Sequence, residues 1–205
     1  MKTNTNSRTL KMVQLALLIA IIVLMAFTPI GYIKTFGLEI TLIVVPVTVG
    51  AIVLGPASGA VLGAVFGITS FIQCFGWSPF GATLLSINPI YTFIVCFIPR
   101  VLMGWLTGLI FVAIRNNNRT KRISYLLASL IGPLLNTLFF MTALVLFFYQ
   151  TDYIQGFVEI LGTSNVFTFV IAFVGINGLI EALTCFVLAS AVSKVLDSLV
   201  MKVSS

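Results

Sequence analysis

The chain has 205 residues, 60% of them hydrophobic and 8% charged, with a net charge of +6. A globular protein carries roughly 25% charged residues, so this supply cannot clothe a water-soluble surface. At about 20 apolar residues per membrane crossing, the length suits six helices in a single compact integral-membrane unit spanning 1–205.

The first apolar run, 12–28, follows Lys2, Arg8 and Lys11 in the manner of a signal peptide. It is long for an h-region and lacks a small-x-small cleavage site, so it is expected to remain as the first membrane helix. Near its start it carries Ala16 and Ala20 in an A-x-x-x-A spacing. The second run, 39–54, is short for a crossing, and only Leu54, Gly55 and Pro56 separate it from the third, 57–75. Proline suits the first turn of a helix, where its missing donor costs nothing, so a tight hairpin is expected there. Gly55, Gly59, Gly63 and Gly67 recur at four-residue intervals and predict a stripe along which a neighbouring backbone approaches closely. Runs at 89–114, 123–149 and 166–193 complete the set, the fourth with a shorter stripe at Gly104 and Gly108.

The basic residues set the orientation. With the N-terminus in the cytoplasm, nine fall inside (Lys2, Arg8, Lys11, Arg115, Arg119, Lys121, Arg122, Lys194 and Lys202) and Lys34 alone outside. Both termini are therefore expected in the cytoplasm, and the positive charge reads as topology rather than as a nucleic-acid face. The outer connections are then 29–38, 76–88 and 150–165. They hold Tyr32, Phe36, Trp77, Phe80 and Tyr153 among glycines and prolines. One reading is an interfacial aromatic belt; the other is a set of lids over an outward cavity, which their length favours.

Polar residues within apolar runs are costly unless paired or facing water. Arg100 lies ten residues beyond Ile90, about 15 Å along the helix at 1.5 Å per residue; by the same rise Glu181 is ~22 Å from Val166 and Asn136 ~18 Å from Phe148. Asn177 shares a helical face with Glu181 and Cys185. Four hydrogen-bonding side chains from three spans thus converge on one depth. Two readings stand: an Arg100–Glu181 ion pair stapling two helices, or a polar pocket in which Arg100 meets an anionic group and the asparagines bond amides or hydroxyls.

Absences narrow the chemistry. The sequence has no histidine and no carboxylate cluster, so a metal site is not expected. The three cysteines lie in or beside apolar runs without C-x-x-C spacing and read as small core residues. There is no G-x-x-x-x-G-K-[ST] and no nucleophile elbow, so neither nucleotide hydrolysis nor any other enzymatic activity is expected. No cofactor is called for.

Read together, A-x-x-x-A in the first span, LGPASGAVLGAVFG at the second and third, NPIYTFIVCFIPRVLMG into the fourth, GPLLNTLFFM in the fifth and INGLIEAL in the sixth have a familiar order. Over about 11–191 the chain resembles the substrate-binding S-components of energy-coupling factor (ECF) vitamin transporters of bacterial cell membranes. The resemblance implies an outward-opening pocket formed by the last three spans and capped by the connections 29–38 and 76–88. Tyr32, Lys34, Phe36 and Phe80 would be gating residues, and Asn88, Arg100, Asn136, Asn177 and Glu181 would line the pocket with Trp77 and Tyr91. It further implies that Ala16 and Ala20 face a transmembrane coupling subunit seated on two cytoplasmic ATPases. The later segments look most like the pantothenate and riboflavin branch. A single buried arginine suits the carboxylate of pantothenate; a flat ring such as riboflavin remains open, with Phe71, Phe75, Trp77, Phe80 and Tyr91 as stacking surfaces. A scaffold whose polar residues are purely structural, or a gradient-driven carrier, are the readings of other classes.

Overall fold

A computed structural model describes residues 3–28, 31–34, 39–116 and 124–204, with side chains described at 8–28, 31–32, 41–116, 124–175, 178–189 and 191. The order of elements is α1 (Thr3–Ala26), β1 (Tyr32–Lys34), β2 (Glu39–Thr41), α2 (Val44–Leu54), α3 (Pro56–Gln73), α4 (Pro79–Ile87), α5 (Pro89–Arg115), α6 (Ser124–Phe148), α7 (Asp152–Ile160) and α8 (Val166–Ser204). Among the described residues four helices are long and apolar enough to cross a membrane, α1 from Arg8, α3, α5 and α6, and a fifth if the two bent segments of α8 count as one span. The architecture is that of an all-helical membrane protein, with one small addition. The apolar run at 39–54 opens as strand β2, which pairs antiparallel with β1 in the register Tyr32 to Thr41.

α2 has 11 residues, about 16 Å of helix, roughly half the thickness of a bilayer's hydrocarbon core. It is apolar on every side, the pattern of a helix buried on all faces. Val44, Val47, Val49 and Ala51 are fully or almost fully buried, and Val44, Val47 and Val49 join a core with Ile22 of α1, Leu62 and Phe66 of α3, Met103 of α5 and Cys185 of α8. Its neighbours, rather than lipid, surround it.

The glycine stripe brings α3 onto α5. An added Cβ at Gly59 would meet the Gly104 carbonyl, at Gly63 the Arg100 carbonyl, and at Gly67 the backbone of Phe97. Gly104 and Gly108 reciprocate against Gly59 and Pro56. Gly55 does not belong to this contact. It turns the chain between α2 and α3 at φ 97°, a conformation only glycine adopts cheaply.

Two connections that read as loops contain helices. α4 lies in 76–88, its N-cap Ser78 accepting from the Gly81 amide at 3.3 Å. α7 lies in 150–165. A second core under these two joins Leu84, Val95, Met141, Phe148, Ile154, Phe169 and Phe173. The last apolar run also departs from a single straight helix. Gly175 takes φ 37°, ψ −128°, and the segments Val166–Gly175 and Gly178–Ala189 meet at 55°. A residue with a Cβ would resist that geometry.

Candidate functional site

The site begins with a proline. Pro99 has no N–H to donate to the carbonyl four residues back, that of Val95. The freed oxygen accepts a hydrogen bond from a terminal guanidinium nitrogen (Nη1) of Arg100 at 2.8 Å. Arg100 is thereby folded back along its own helix, 7% exposed, with its guanidinium carbon 4.7 Å from the ring centre of Phe140 and 5.4 Å from that of Phe66. Its backbone is fixed by Gly63 behind it. Among the described residues the Nε–H has no partner, and no carboxylate lies within ion-pairing reach of the guanidinium.

Glu181 is equally buried, one turn and a half beyond the break in α8. Its two oxygens accept from different elements: Oε1 from Nδ2 of Asn136 at 3.1 Å, and Oε2 from the Thr41 amide of β2 at 3.4 Å. That arrangement turns the amide nitrogen of Asn136 toward Glu181. Among the described residues Oδ1 of Asn136 is left buried without a donor. Gln73, at the end of α3, reaches across to the Ala26 carbonyl at the end of α1.

These groups surround a cavity of about 110 Å³. Arg100 and Cys96 of α5 form one wall; Asn136, Phe140 and Met141 of α6 and Glu181 of α8 form another. Ser70, Gln73 and Cys74 of α3 stand opposite, and Tyr32, Thr41, Phe80, Gly81 and Leu84 close the rim. The Phe80 ring belongs to an aromatic cluster, 5.8 Å from Tyr153, 6.3 Å from Phe157 and 5.9 Å from Phe173. α4 is thus held down by α7 and by the outer half of α8. Chemically, the cavity offers a cation with unused donors, an unused amide oxygen and a carboxylate already engaged at both oxygens.

The expected residues divide accordingly. Arg100, Asn136, Glu181, Tyr32 and Phe80 line the cavity. The first of the two readings, a staple between Arg100 and Glu181, does not form among the described residues: Asn136 and the Thr41 amide satisfy the carboxylate instead. Asn88 is a correction. Its Oδ1 accepts from the Ile90 and Tyr91 amides at 3.1 Å, capping α5, and is spent on that task. Trp77 and Tyr91 also lie off the cavity. Trp77 is 58% exposed with its ring edge-on to Phe27 at 5.5 Å, and Tyr91 rests on Phe147 at 4.8 Å. Phe71 packs edge-on against both Phe75 and Phe93, and neither Phe71 nor Phe75 is part of the cavity lining. Phe36 and the side chains of Lys34 and Asn177 lie outside the described residues. Gln73 and Thr41 were not anticipated. Gln73 sits at a helix end, where a polar residue raises no alarm, and Thr41 acts through its backbone amide.

Fold and cavity define a class: a polytopic membrane protein that encloses a small polar chamber under short helices. The family described as "ECF transporter, substrate-specific component" matches residues 10–193. The chain belongs to that family; it is a transport component of the cell membrane and not an enzyme. Two relatives extend the comparison. A "Pantothenic acid transporter PanT" of Lactococcus lactis subsp. cremoris is 31% identical over 163 residues, covering 73% of this chain and 80% of the relative. A "Pantothenate transporter PanT" of Leuconostoc mesenteroides subsp. mesenteroides is 30% identical over 208 residues, covering 94% of each.

Proposed function

We propose that the protein captures pantothenate from outside the cell and passes it to a membrane coupling subunit driven by two cytoplasmic ATPases. One observation carries the reading of the ligand: Arg100 is a buried cation in the cavity wall, with an unpartnered Nε–H and no carboxylate within reach among the described residues. An unneutralised charge at membrane depth is expensive, and a guest carboxylate would neutralise it. Pantothenate supplies one carboxylate, with an amide and hydroxyls to donate toward Oδ1 of Asn136 and the carboxylate of Glu181. The names of the two relatives agree with this choice. A flat-ring ligand has less support, because Phe66 and Phe140 already flank the guanidinium, and Trp77 and Tyr91 lie elsewhere.

In this reading the chain is one integral-membrane unit with six crossings and both termini in the cytoplasm. α2 serves as an embedded short crossing, and the bent outer part of α8 counts as a sixth with its inner part. The rim formed by Tyr32 and Phe80 then faces outward. The sequence has no nucleotide-binding loop, so delivery falls to the ATPase partners. Isothermal titration of the detergent-purified protein with pantothenate tests the proposal. The wild-type protein should bind it, and Arg100→Ala should weaken binding by about a hundredfold or more, the loss of ~3 kcal/mol typical of a charged hydrogen-bonded pair. Equal binding by both, or by neither, would contradict it.

A further inference from the structure

Two of the three cysteines meet at the cavity. Cys74 closes α3 and Cys96 lies one turn before Arg100 on α5, and their Sγ atoms are 3.8 Å apart. Both are nearly buried, at 4% and 6% exposure, and both line the cavity. Cys185 is elsewhere, with its Sγ against Oγ1 of Thr48 at 3.9 Å.

We propose that Cys74 and Cys96 are an oxidisable dithiol in the cavity wall, which a small peroxide converts to a disulfide tying the root of α4 to α5. Sulfur atoms at 3.8 Å are in contact, and forming the bond brings them to the covalent distance of about 2.0 Å. The cavity gives a route, since hydrogen peroxide is little larger than the water that fits there. One sulfur attacks a peroxide oxygen, the O–O bond breaks, one water leaves and a sulfenic acid remains. The second sulfur attacks the first, the S–O bond breaks and another water leaves. Two thiols and one peroxide thus yield one disulfide and two waters, with the sulfurs oxidised by two electrons in total.

The link would bear on the lid. The amides of Trp77 and Ser78 both donate to the Gln73 carbonyl at 3.0 Å, so the turn into α4 starts beside Cys74. Gly81 of α4 sits directly on that sulfur, where an added Cβ would collide with it. Fixing Cys74 to Cys96 therefore anchors the floor on which α4 rests. The effect on ligand exchange rests on the pantothenate reading; the cross-link does not.

The full-length protein, purified reduced, would be treated with hydrogen peroxide and digested for peptide mass spectrometry, with hydrogen exchange of the α4 amides measured before and after. The expected result is a 74–96 cross-linked peptide, Cys185 still free, slower exchange in α4 and pantothenate release slowed about tenfold, all reversed by dithiothreitol. Cys74→Ser, compared with its own untreated state, should show none of these responses. Absence of the 74–96 peptide, or a cross-link that leaves α4 exchange unchanged, would overturn the proposal. Failure of the reduced protein to bind pantothenate would sink the ligand reading instead, leaving the cross-link and α4 exchange to decide the dithiol.

Discussion

At position 99 a proline withholds the N–H that would claim the Val95 carbonyl, and Arg100 takes that oxygen in its place. This makes Pro99 a positioning residue for the guanidinium. In Pro99→Ala the restored amide would reclaim Val95, and the arginine would lose the anchor holding it toward the cavity. We predict a fall in pantothenate affinity of roughly five- to thirtyfold, matching ~1–2 kcal/mol for one lost hydrogen bond to a charged group. The melting temperature should hold or rise, because proline is unfavourable inside a helix by about 3 kcal/mol. Titration and thermal melting together check this; unchanged affinity would remove Pro99 from the account. At this scale the sequence was informative wherever a polar letter stood in an apolar run, as with Arg100, Asn136 and Glu181. It misled at Asn88, although asparagine followed by proline is an N-cap signature that reads as structure. It was silent on Thr41, whose contribution comes from a backbone amide, and on the meeting of Cys74 with Cys96, since spacing along two different helices does not report contact between them.

Among the elements, the pairing of α3 with α5 was the most legible. Glycines at four-residue intervals have few uses other than close backbone approach, and they place the Arg100 carbonyl against Gly63. The break in α8 was not legible, because a lone glycine within an apolar run does not announce a bend, and α4 and α7 were hidden in segments whose glycines and prolines suggested loops. The short run at 39–54 signalled its own peculiarity, and its burial on all faces supplies the reason. α1 presents the opposite case. Ala16 and Ala20 are exposed, beside the large exposed side chains Val13, Leu17 and Leu24. Such a face, with small residues among apolar ones, suits close approach by another membrane helix, and we propose that the coupling subunit docks there. Ala16→Trp or Ala20→Trp should leave pantothenate affinity within about twofold, since neither residue lines the cavity, while abolishing uptake into cells. Normal uptake by both variants would contradict the assignment.

For the whole molecule, the arrangement resolves into an inner bundle around α2 and an outer layer of α4, α7 and the ribbon over the cavity. The bundle supplies rigidity where Arg100 is held; the outer layer supplies the rim. Everything proposed about function rests on the guanidinium having, among the described residues, no carboxylate partner and an unused Nε–H, and taking an anion from the guest. The most direct measurement compares two ligands on the wild-type protein by titration calorimetry: pantothenate, and the alcohol analogue in which a hydroxymethyl group replaces the carboxylate. The account predicts that pantothenate binds at least about a hundredfold more tightly, the equivalent of ~3 kcal/mol. Equal affinity for the two would show that Arg100 does not meet an anion, and would contradict the account.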